Sequence, residues 1–151
     1  MRRKDREIAA EEAWEVANSC SHALLSMVDE AGEPYAVPVN VAGEGGCFYF
    51  HTAMEGKKID CLRKHPRVCM NFLAFAEVDA PAFTTRYASA IAFGNAEEIT
   101  DEEERTQALR AICRKLAPHE PRTEGDFAEC RGKTMLWKVT VTEITGKRNS
   151  K

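Results

Sequence analysis

Apolar and polar residues alternate over most of this chain, the signature of half-buried strands, and three patterns of helical spacing lie between the alternating runs. Residues 22–28 and 35–42 alternate in this way. The connector Asp29-Glu30-Ala31-Gly32-Glu33 has turn chemistry, so the two runs predict a hairpin. In the second run Tyr35, Val37, Val39 and Val41 share one face, and Ala36, Pro38, Asn40 and Ala42 share the other. Gly43-Glu44-Gly45-Gly46 then turns the chain into a strand over 47–51. Another strand is predicted over 67–74, followed by a looser segment, 75–83, that contains Asp79 and Pro81. Residues 84–99 alternate again and are long enough to bend across a barrel. One face there carries Ala88, Ala90, Ala92 and Gly94, small residues that admit another backbone or a flat ring. The last strand, 134–145, sets Met135, Trp137, Val139 and Val141 on its apolar side.

The first helical pattern covers 8–19, with Ile8, Trp14 and Val16 apolar and Glu11 and Glu12 in an early turn. The second opens at Lys57-Lys58 and stops before His65-Pro66, because Pro disfavours helix in the residue before it. The third begins at Thr100-Asp101-Glu102-Glu103, which reads as a capping box with Thr100 as N-cap and Glu103 returning the bond. It runs to about Leu116 with Leu109, Ile112 and Leu116 as its apolar stripe. Arg114 and Lys115 suit the negative end of its dipole. Pro118 and Pro121 open an irregular connector that ends near Gly132. Short links between strands favour an antiparallel meander, and closure into a barrel removes exposed edges. The expectation is a mainly β fold: one domain over 1–151, a small antiparallel β-barrel with α-helices outside.

Composition narrows the function. The 151 residues fit a single domain, and an apolar fraction of 44% furnishes a real core. A net charge of −3 supplies no global field toward nucleic acid or anionic lipid. Neither a secretory signal nor an apolar run long enough for a membrane span is visible. Cys20, Cys47, Cys61, Cys69, Cys113 and Cys130 form no C-x-x-C pair, and they read as reduced thiols of a cytoplasmic protein. Metal-ligand spacing, a nucleophile elbow, a dinucleotide fingerprint and a P-loop are all missing from the sequence.

The most informative stretch runs from Phe48-Tyr49-Phe50 through His51-Thr52-Ala53 to Gly56-Lys57-Lys58. A strand ends there and a helix begins, so cationic side chains meet unpaired backbone N–H groups. That combination binds anions, phosphate above all. The alternative is a pair of solvated lysines. His51 is a candidate proton donor, or else a strand-end histidine bonded to backbone. Thr52 offers a hydroxyl to phosphate. Pro38 marks an edge or bulge, and Asn40 beside it can meet the amide-like edge of a heteroaromatic ring. Tyr87 and Ser89 are polar-tipped positions in the long strand, and Trp14 and Trp137 read as core anchors.

Five blocks together carry a family resemblance. They are Met1-Arg2-Arg3-Lys4-Asp5-Arg6-Glu7-Ile8, Pro34-Tyr35-Ala36-Val37-Pro38-Val39-Asn40, residues 48–63, residues 87–97 and Ile144-Thr145-Gly146-Lys147. In this order the chain resembles the 5-nitroimidazole-resistance branch of the pyridoxamine 5′-phosphate oxidase-like flavoproteins. The resemblance implies a split β-barrel that forms a homodimer and binds FMN at the subunit interface. It implies that Pro38, Val39 and Asn40 line the isoalloxazine ring. It further implies that His51, Thr52 and Ala53 flank the ribityl phosphate, that Lys57 and Lys58 hold it, and that Tyr87 and Ser89 complete the pocket. Where similar proteins often carry Arg between the Tyr and Ser, this chain has Ala88, with Arg86 the nearest substitute. The expected activity is flavin-dependent reduction of a small electron-poor substrate such as a nitroaromatic, with His51 as the polar group near it. The alternative is a non-catalytic flavin- or haem-binding protein of the same fold. Pyridoxamine-phosphate oxidation fits less well, since the arginine-rich C-terminal substrate motif is missing.

Overall fold

The computed structural model describes residues 2–120 and 133–150. The elements run β1 (Glu7–Ile8), α1 (Ala10–Ser19), β2 (His22–Val28), β3 (Pro34–Asn40), β4 (Ala42–Glu44), β5 (Cys47–Thr52), α2 (Lys57–Lys64), β6 (Arg67–Asp79), β7 (Thr84–Glu98), α3 (Glu102–Leu116) and β8 (Met135–Asn149). Among the described residues the strands form one eight-stranded antiparallel sheet in the order β3-β2-β6-β7-β8-β5-β4, with β1 paired to β8. The connector between Pro118 and Gly132 lies mostly outside the described residues.

One face of this sheet builds the core. Leu25, Val39, Phe48, Phe50, Val68, Met70, Phe72, Ala90, Ala92, Trp137 and Val139 are all buried in it. Helix α1 adds Ala13, Val16 and Ala17, and α2 adds Ile59, Cys61 and Leu62, so each helix lays its apolar stripe on the same core. Both tryptophans anchor it: Trp14 stacks on Phe48 at 4.8 Å, and buried Trp137 donates Nε1–H to Thr52 Oγ1 at 3.2 Å. Helix α3 packs elsewhere, setting Ala108, Ala111 and Ile112 against Ala42, Ile99 and Leu136. Strand β8 is therefore buried on both faces at its start, where Leu136 and Trp137 point opposite ways.

Four boundaries differ from the pattern-based reading, each for a local reason. Ile8 is not helical but pairs with Gly146, whose missing side chain leaves room for it. The 35–42 run divides at Val41, because Ala42–Glu44 leaves β2 and pairs with β5. The looser 75–83 segment is strand as far as Asp79: after a bulge between Leu73 and Phe75, β6 stays in register with β7 up to the Asp79–Thr84 pair. The N-cap of α3 is Asp101, accepting from the Glu104 amide at 2.9 Å, rather than Thr100 with Glu103. Ile99 N–H is still held by the Leu136 carbonyl, which keeps the preceding backbone extended. Cys20, Cys47, Cys61, Cys69 and Cys113 are free thiols, while Cys130 lies outside the described residues.

Candidate functional site

The second face of the sheet is largely uncovered between β3 and β8. Its lateral rows follow from the register: Pro38–Leu24–Asn71–Ile91–Thr145, and beside it Ala36–Ser26–Cys69–Phe93–Glu143. Leu24, Val28, Leu73, Ile91 and Phe93 are exposed large apolar side chains on this face. Pro38 and Asn40 sit at its β3 edge and are exposed, whereas Val39 is turned inward and buried. Val39 therefore reaches an outer ligand only through its backbone. Tyr87 and Ser89 lie on the same outer face but on β7. Three strand steps separate them from β3, roughly 14 Å at the usual spacing. Ala88 points into the core, and Arg86, on its face, is spent on Glu77 at 3.0 Å. Arg86 thus supplies no cation beside Tyr87 and Ser89.

The strand-to-helix corner is built as the sequence predicts. Gly56 precedes α2 with φ +132° and ψ 161°, a backbone region open essentially to glycine alone. Its carbonyl accepts the Ile59 amide at 2.8 Å and the Asp60 amide at 3.3 Å. The amides before these open the helix and have no partner inside it. At the end of β5, His51 and Ala53 are exposed while Thr52 is buried. The Thr52 hydroxyl donates to the Ala53 carbonyl at 2.8 Å and accepts from Trp137. That hydroxyl ties the strand end to the core.

The two lysines have different surroundings. Lys57 forms an ion pair with Asp29 at 3.0 Å and lies 4.9 Å from the centre of the Tyr35 ring. A hydrogen bond from Lys57 holds the Asp29 carboxyl below its ordinary range, and the same bond raises Lys57. Asp29 also accepts from the Ala31 and Glu33 amides, so it is fixed in the β2–β3 turn. Lys58 is partly buried, and burial pushes its pKa down. It has no carboxylate partner among the described residues. A half-buried cation at a helix N-terminus, with no anion of its own, is the arrangement a phosphate would complete.

Sequence pattern did not separate the two lysines, because Asp29 meets Lys57 only through the fold. It also gave no weight to the outer apolar residues. The available signal was apolar character on both sides of a strand, as at Leu24-Leu25 and at Ile91 and Phe93 between alanines. Surface hollows open beside α2 and beside α3. One of about 590 Å³ is lined by Asp29, Glu30, Lys57, Asp60, Arg63 and Lys64, and its mixed charges largely pair with each other. No described helix is long and apolar enough to cross a membrane, and no described cluster of His, Cys, Asp and Glu could hold a metal ion.

Comparison with known proteins agrees with this architecture. Over 93% of its length the chain superposes on 85% of a Bacteroides thetaiotaomicron protein whose name assigns it provisionally to 5-nitroimidazole antibiotic resistance (TM-score 0.79, 28% identity). An FAD-binding protein from Mesorhizobium loti matches with TM-score 0.71 and 22% identity, covering 96% of this chain and 98% of that one. An FAD and haem binding protein from Mycobacterium smegmatis matches with TM-score 0.81 and 18% identity, covering 97% and 74%. At these lower identities the likeness shows the fold alone. No curated protein sequence matches. The profile described as pyridoxamine 5′-phosphate oxidase matches residues 9–148. With that match over nearly the whole chain, and with the split-barrel sheet just described, the protein belongs to the pyridoxamine 5′-phosphate oxidase family.

Proposed function

We propose that this protein is an FMN-dependent reductase of small electron-poor substrates of the nitroaromatic type, acting as a homodimer with the cofactor at the subunit interface. The observation that carries the cofactor assignment is Lys58, a half-buried ammonium without a carboxylate partner among the described residues, beside the open amides of α2. FMN fits these residues: Lys58 and the helix N-terminus would hold its phosphate, and Pro38 and Asn40 at the exposed edge of β3 would line its ring. Bound FMN would supply the redox chemistry, taking electrons from a reduced donor and delivering them to the acceptor. The chain contributes orientation, phosphate neutralisation and exclusion of water. His51, exposed at the end of β5, is our candidate to donate a hydrogen bond or proton to substrate. Ser89 and Tyr87 lie roughly 14 Å across the sheet from β3 of the same chain. A second copy, docked through Leu24, Ile91 and Phe93, would bring its own β7 to the site.

The test is transient kinetics. FMN-loaded protein is reduced under anaerobic conditions and mixed with a 5-nitroimidazole. Reoxidation faster than that of free reduced FMN supports a reductase. Reoxidation no faster than free FMN supports the second reading, a flavin- or haem-binding protein without turnover. That reading draws on how little proton-transfer chemistry the end of β5 offers, where His51 is the candidate and is exposed.

A further inference from the structure

We infer that the corner between α3 and the β4–β5 turn is a second anion-binding site, built for a small ligand carrying two phosphate or carboxylate groups. Three cations on α3 face this corner: Arg110, Arg114 and Lys115. Arg110 Nε and Lys115 Nζ are sealed from solvent and have no hydrogen-bond partner among the described residues. Such buried, unpaired donors are rare and costly unless an anion or ordered water meets them. The guanidinium of Arg110 cannot relieve that cost by deprotonation.

Two hollows flank these side chains. One, about 290 Å³, is lined by Glu44, Gly45, Tyr49, Gln107, Arg110 and Arg114. The other, about 550 Å³, is lined by Asn18, Ala42, Gly43, Glu44, Ala111, Arg114 and Lys115. Between them stands the Arg114–Glu44 pair, at 3.5 Å with both partners at least half exposed, a weak contact that a stronger anion can displace. Among the described residues Glu44 is the one carboxylate lining either hollow, against three cations. The remaining polar side chains of the lining can donate to an anion: the Gln107 and Asn18 amides and the Tyr49 phenol, whose proton is held by burial. Arginine forks match phosphate and carboxylate oxygens in pairs. None of these residues belongs to the flavin site proposed above.

Nitrogen-15 NMR of the full-length protein, saturated with FMN, tests the site by following the Nε–H signals of Arg110 and Arg114. Pyrophosphate is added in one titration and citrate in another. Saturable shifts of these signals with either probe support the site, and the better probe identifies phosphate or carboxylate as its chemistry. Arg110→Met and Lys115→Met should each weaken binding by about tenfold or more, read on Arg114. Lys58→Met should leave it unchanged. Absence of a saturable shift with both probes overturns the inference. So does binding that survives both Arg110→Met and Lys115→Met, or that disappears in Lys58→Met. If the corner variants do not fold, the wild-type and Lys58→Met titrations still decide the matter.

Discussion

Replacing Lys58 by Met removes one charge, keeps the aliphatic stem, and should weaken FMN binding far more than the same change at Lys57. At an effective dielectric near 20, a unit charge about 4 Å from another contributes around 4 kcal/mol. Lys58 is only partly buried, so solvent reduces this to about 1.4–3 kcal/mol, roughly 10- to 150-fold in Kd. Lys57 is already neutralised by Asp29 at 3.0 Å and its side chain is 55% exposed. Its removal should cost no more than about twofold. The assay is quenching of flavin fluorescence on titrating apoprotein into FMN at fixed ionic strength. Riboflavin, which lacks the phosphate, is the control, and its affinity should be the same in all three proteins. Equal losses for Lys57→Met and Lys58→Met would refute the split between the two lysines. An unchanged Kd in Lys58→Met, or an equal loss for riboflavin, would remove the phosphate site from this corner.

Asp29→Asn retains the turn-closing acceptor for Ala31 and Glu33 but loses the charge. Because the folded carboxyl titrates below its ordinary value, the pair stabilises the protein above about pH 4 and the benefit fades as pH falls through the lowered value. Urea denaturation should therefore show a wild-type advantage over Asp29→Asn near neutrality that shrinks in acid; an advantage that grows in acid contradicts the assignment. Phe83 ends the β6–β7 turn with φ +48° and 98% exposure. Phe83→Asn should raise the urea midpoint, by about 1 kcal/mol in stability, since Asn tolerates that backbone better. In β7, a Cβ at Gly94 would lie 2.5 Å from the Thr140 carbonyl oxygen, so Gly94→Ala should destabilise by about 1–3 kcal/mol in the same measurement. Leu24→Lys with Ile91→Lys places like charges on the outer face, so sedimentation at one concentration should report the proposed dimer for the wild type and a monomer for the variant.

Period-two alternation was enough to locate β2, β5 and β7 almost to the residue, because a strand with one buried face must write that burial into every second position. The Gly-Lys-Lys corner was legible for a similar reason: helix starts depend on local chemistry. The choice between Thr100 and Asp101 as cap depended instead on the bond from Ile99 to Leu136, a contact with a strand far along the chain. The extension of β6 to Asp79 likewise depended on pairing with β7, which a Pro in the turn concealed. Tertiary structure alone decided which lysine is free, since Asp29 and Lys57 are brought together by the β2–β3 turn folding over α2. It alone aligned Leu24, Ile91 and Phe93 into one outer face, and buried Arg110 Nε and Lys115 Nζ without partners among the described residues. A residue's periodicity reports whether it is covered; which charge or surface covers it is fixed only when distant segments meet.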